Sequence, residues 1–162
     1  MNLLFIVAFV TTLNFSCDNS ENPDEVSNPE TVTNTGEKAA ITAVEVSGNE
    51  ASYTFNVTIK SPDTGCQQYA DWWEIVSTEG ELIYRRILAH SHVTEQPFAR
   101  TGGPVMIKKT DEIYIRAHMN TSGYGTAVFK GSVAAGFDET TLDATFAEDL
   151  AKTAPLPNDC AF

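Results

Sequence analysis

The alternation of apolar and polar positions is clearest in "ASYTFNVTIK". Tyr53, Phe55, Val57 and Ile59 fall on one side, and Thr54, Asn56, Thr58 and Lys60 on the other. A period of two is the signature of a half-buried strand. "AITAVEV" (40–46) and the turn "SGNE" precede it, so the two apolar runs read as an antiparallel hairpin. Further strands are expected in "DWWEIVS", in a long run "LIYRRILAHSHV" (82–93), in a short "VMIKK", in "EIYIRAHMN" and in "GTAVFKGSVAAGF". "SPDTGC" and "TEGE" read as turns, and "TEQPFARTGGP" (94–104) as a loop, on their Gly, Pro and Asp content. After residue 137 the pattern weakens. A strand over 140–146 and a short helical turn over 147–152 fit it best. Many short strands separated by turn residues predict an all-β domain. The expected form is an antiparallel two-sheet β-sandwich, immunoglobulin-like or jelly-roll-like.

The same periodicity places most of the chemistry-bearing residues together. In 82–93, Leu82, Tyr84, Arg86, Leu88, His90 and His92 share a face; in 113–119, Tyr114, Arg116 and His118 oppose Ile113, Ile115, Ala117 and Met119. If these two strands were neighbours, their Tyr, Arg and His side chains would form one polar surface, with cross-strand Cβ atoms roughly 4.5–5.5 Å apart. Three uses of such a surface follow. His90, His92 and His118 could hold Zn or Cu, with Asp71, Glu74 or Glu95 in support, giving a metal-binding protein or a metal-dependent enzyme. Arg86 and Arg116 could clamp an anionic small molecule or an acidic saccharide, with Trp72, Trp73, Tyr84 and Tyr114 as stacking partners. The face could also meet an envelope protein or carry no ligand. Noncatalytic binding is the leading expectation. Trp72 and Trp73 are adjacent, so a strand sends them to opposite sides. No GxSxG or HExxH motif occurs, and Ser91 points away from the histidines that flank it.

The ends of the chain differ from its middle. "MNLLFIVAFVTTLNFSC" carries an apolar run, Leu3–Val10, too short to span a bilayer and suited to an export leader. "LNFSC" resembles a bacterial lipobox, with Leu13 one position further from Cys17 than is usual. The polar stretch after it, "DNSENPDEVSNPE", resembles the tether of Bacteroidota lipoproteins. The resemblance covers this leader and tether alone. It implies a leader over 1–17 cut immediately before a lipidated Cys17, attachment to the outer membrane or cell surface, a disordered acidic tether over 18–38, and a folded domain over 39–162. Plain secretion or a periplasmic location is the alternative. In an exported chain the remaining pair, Cys66 and Cys160, is expected to form a disulfide. A loop of that length gives about 4–5 kcal/mol of stabilisation in the chain-entropy picture.

Of 162 residues, 10 are Lys or Arg and 22 are Asp or Glu, for a formal charge of −12. That balance argues against a nucleic-acid partner, which requires a basic footprint.

Overall fold

A computed structural model describes residues 37–161. The expected leader, Cys17 and most of the expected tether therefore lie outside the described residues. Nine strands follow in order: β1 (Ala40–Asn49), β2 (Ser52–Lys60), β3 (Ala70–Ser77), β4 (Leu82–Ile87), β5 (Phe98–Val105), β6 (Ile113–Met119), β7 (Gly123–Tyr124), β8 (Ala127–Ser132) and β9 (Gly136–Thr141). A 3-10 turn, Glu148–Lys152, comes last. One sheet has the order β1-β2-β5 and the other β4-β3-β6-β8-β9, with β7 paired to β6. Every pairing is antiparallel. The chain leaves the first sheet after β2, returns for β5 and leaves again for β6. This crossover pattern follows the immunoglobulin-like form of the expected sandwich.

The alternation seen in the sequence determines what lies between the sheets. Tyr53, Phe55, Val57 and Ile59 of β2 and Phe98 and Val105 of β5 meet Trp73 and Ile75 of β3 and the apolar side of β6, Ile113 to Met119. Each large side chain fully buried here contributes about 1.5–3 kcal/mol of transfer free energy.

Three expectations are corrected. First, the segment 98–105 is a strand, not a loop: Ile59 to Tyr53 of β2 pair with Phe98 to Val105. Its Gly-Gly-Pro reads as a turn, but β5 is a sheet edge, where a proline removes no required donor. Gly102 is there for space. A Cβ on it would lie 2.8 Å from the Trp73 ring and 2.7 Å from the Tyr84 hydroxyl. Second, the long strand expected over 82–93 stops at Ile87. The Leu88 amide bonds the Asp71 carbonyl. The His92 amide is then taken by the Asp63 carboxylate at 2.7 Å, a donor that a strand would give to its neighbour. Third, the strand expected at 105–109 does not form, because Val105 closes β5 instead.

The fold also covers a surface that the sequence left open. The segment after β9 runs back across the outer side of the larger sheet. It is pinned at Cys160 by the disulfide to Cys66, 94 positions away, and by the Ala161 amide on the Ala89 carbonyl. Strand β3 is consequently buried on both sides, and both tryptophans with it.

Candidate functional site

Glu74 sits within "DWWEIV", a carboxylate in an apolar strand, and is fully buried. A buried charge needs paired and hydrogen-bonded partners. Register supplies them from both flanking strands, since Glu74 faces Arg85 on β4 and Arg116 on β6. Arg85 Nε donates to one carboxylate oxygen at 2.7 Å, and Arg116 Nε to the other at 2.8 Å. The outward N–H groups donate to main-chain carbonyls of the covering segment: Arg85 to Leu150, Thr153 and Pro155, Arg116 to Phe146 and Ala147. One carboxylate thus holds two guanidinium groups, which in turn hold the C-terminal strap. The Arg116 guanidinium lies 3.5 Å from the Tyr124 ring centroid. Burial, and then the Glu74 charge, push the Tyr124 phenol well above its ordinary range.

His118 continues this face along β6. Its Nδ1 meets Asp71 Oδ1 at 2.7 Å, and its ring stacks on Trp72 at 3.7 Å and 7°. Burial raises the Asp71 carboxyl, and the His118 contact opposes that rise. The imidazole is thereby fixed in one orientation. It borders an open cleft of about 400 Å³, whose other walls include Ser122, Tyr124, Thr145, Glu148 and Lys152. That volume falls in the range of small-molecule sites.

The other two histidines lie elsewhere, in the loop after β4. The His92 side chain is only 2% exposed, stacks on Phe98 at 3.8 Å and lies 4.6 Å from the His90 ring. Neither of its ring nitrogens has a hydrogen-bond partner among the described residues. Asp63 Oδ2, at 3.8 Å from Nδ1, is beyond hydrogen-bond range. Burial, with Arg100 and His90 nearby, holds the His92 ring below its ordinary value of 6.5.

The single polar face expected from periodicity does not assemble. Strands β4 and β6 are separated by β3. Tyr84 and Arg86 turn toward β5, where the Gly103 amide donates to the Tyr84 hydroxyl and Arg86 donates to the Thr101 carbonyl. Trp72, Tyr114, Arg116 and His118 are on the opposite side, and Trp73 is in the core. Nor do His90, His92 and His118 converge. Among the described residues, no group of three or more His, Cys, Asp or Glu side chains is placed to hold a metal ion. Sequence reasoning missed Arg85 and Arg100, whereas Tyr124, between Gly123 and Gly125, was open to a place beside the histidine face and lies 4.8 Å from the His118 ring. For Arg85 a signal was present: an arginine between Ile83 and Ile87, on the strand after an apolar one carrying a lone Glu.

A protein of Halomicrobium mukohataei named "Putative lipoprotein" is 38% identical to this chain over 71 residues, 44% of this chain. The chain spans about a third of that relative, 35% of its length. No protein-family model matches the chain, and no solved structure matches it. Among the described residues, no helix is long and apolar enough to cross a membrane.

Proposed function

We infer that the protein is an envelope lipoprotein, anchored through Cys17, whose β-sandwich binds a small polar ligand without transforming it. The lipobox-like "LNFSC", the Cys66–Cys160 disulfide suited to an oxidising compartment, and the name of the relative support the location. The binding reading rests on one observation: His118, oriented by Asp71 and Trp72, borders a cleft of about 400 Å³. Hydroxyls, the Glu148 carboxylate and the ammonium groups of Lys38 and Lys152 share its walls, a mixture suited to the hydroxyl groups of a saccharide. Binding is favoured over acyl transfer because, among the described residues, no hydroxyl is hydrogen-bonded to the His118 ring, as a nucleophile–base pair requires.

Trp72 provides the readout, since a ligand against His118 alters the ring stacked on it. The full-length protein, titrated with soluble envelope saccharides, is expected to show a saturable change in tryptophan emission that His118→Gln abolishes. Metabolic labelling with a fatty-acid analogue is expected to mark the wild type and not Cys17→Ser. Absence of any emission change would remove the cleft reading, and an unlabelled wild type would remove the anchor.

A further inference from the structure

A second cavity, of about 90 Å³, lies at the end of β4, lined by Arg86, Ile87, Leu88, Ala89, His90, His92 and Arg100. It differs from the others in charge. No Asp or Glu lines it, whereas the other four cavities described each include a carboxylate. In a chain of net charge −12, two arginines around one opening with no carboxylate in its wall concentrate positive potential.

The nearby acids are occupied. Asp63 accepts from the Ser61 hydroxyl and from the amides of Ala70 and His92. Glu95 forms a two-point pair with Arg100 and is itself largely solvent-exposed. Arg86 gives Nε and one terminal nitrogen to the Thr101 and Ile87 carbonyls, which fixes the plane of its guanidinium. Its other terminal nitrogen makes no hydrogen bond among the described residues. Asp63 on the His92 amide and Gln96 on the His92 carbonyl hold the loop in place.

The unpartnered nitrogens of His92 are the second, independent observation. A nearly fully buried imidazole with neither nitrogen bonded is costly, and such groups call for an explanation. A cation is the wrong occupant beside Arg86 and Arg100. The volume equals about three waters of liquid, which suits one compact group and excludes a whole sugar ring.

We propose that this pocket binds the oxyanion group of a small ligand: a carboxylate or sulfate held by Arg86 and by an N–H of His92, with Arg100 and His90 at the mouth. The site is separate from the His118 cleft and does not depend on the reading given to it. Arginine contributes a planar, permanently charged donor set. The imidazole gains the partner that the fold does not supply.

The test is calorimetric titration of the full-length protein with sodium sulfate and with sodium acetate, at constant ionic strength. One saturable site is expected, weakened by about tenfold or more in Arg86→Gln and in His92→Phe, the loss of one bond to a charged group. His92→Phe keeps the stacking on Phe98, so it decides the matter should Arg86→Gln fail to fold. Lys130→Gln removes a distant positive charge and is expected to leave binding unchanged. A hexuronate that binds more tightly than acetate identifies the source as an acidic saccharide, and equal affinity identifies a free oxyanion. No saturable binding of either ion, or binding undiminished in a folded His92→Phe, overturns the proposal.

Discussion

His118 and His92 are stacked in nearly the same way and partnered in opposite ways. One ring lies 3.7 Å from Trp72 at 7°, the other 3.8 Å from Phe98 at 11°. His118 has its Nδ1 on a buried carboxylate, in a region where Glu74, Arg85 and Arg116 satisfy one another and the strap above them. His92 has neither nitrogen bonded, in a loop bordered by arginines. The packing of an aromatic ring therefore says little about its role. The polar atoms differ: the fold completes His118 Nδ1, and it leaves both His92 nitrogens unbonded among the described residues, as it does the indole N–H groups of Trp72 and Trp73.

The largest effect is expected around Glu74. Glu74→Ala leaves two buried guanidinium groups without their counter-charge and loosens the strap that they hold. A loss of about 3–5 kcal/mol is expected in chemical denaturation. An unchanged midpoint would mean that the network contributes no stability. Next come two substitutions of opposite sign. Asp71→Ala strands His118 and is expected to cost about 1–3 kcal/mol. His92→Phe removes two buried unpaired polar atoms while keeping the ring, and is expected to gain about 1 kcal/mol. Equal losses in both would erase the distinction between the two rings.

The smallest effect is on pH dependence. The folded state holds His92 below its ordinary 6.5, through burial, Arg100 and His90, against Asp63 and Glu95. As pH falls through 6.5, the unfolded chain takes up a proton that the folded chain resists, so stability declines on the acid side. This slope is expected to be absent from His92→Phe. Because an anion favours the charged imidazole, sulfate is expected to raise the His92 titration midpoint and to reduce the slope in the wild type. Urea melts at a series of pH values, with and without sulfate, measure both.

The sandwich was legible because alternation in 51–60 and 113–119 separates an inner from an outer side without reference to the rest of the chain. What periodicity could not provide was adjacency. Placing Arg86 beside Arg116 required β4 next to β6, and β3 lies between them. Nor could it reveal that a segment of weak pattern, 142–161, would fold over the polar face. That depends on the backbone carbonyls of the strap, which carry no residue-specific signal. The histidine pair at 90 and 92 was noticed for its spacing, but strand geometry does not apply beyond Ile87. Asp63, 29 positions before His92 in the chain, is what turns that loop. The disulfide was accessible from cysteine arithmetic alone.

Nitrogen NMR of the histidine rings, recorded as sulfate is added, follows both imidazoles at once. The His92 ring nitrogens are expected to shift and saturate, while His118 stays unchanged, with its Nδ1 bonded to Asp71. A sulfate response at His118 with none at His92, or no response at either ring, would refute an oxyanion site at His92.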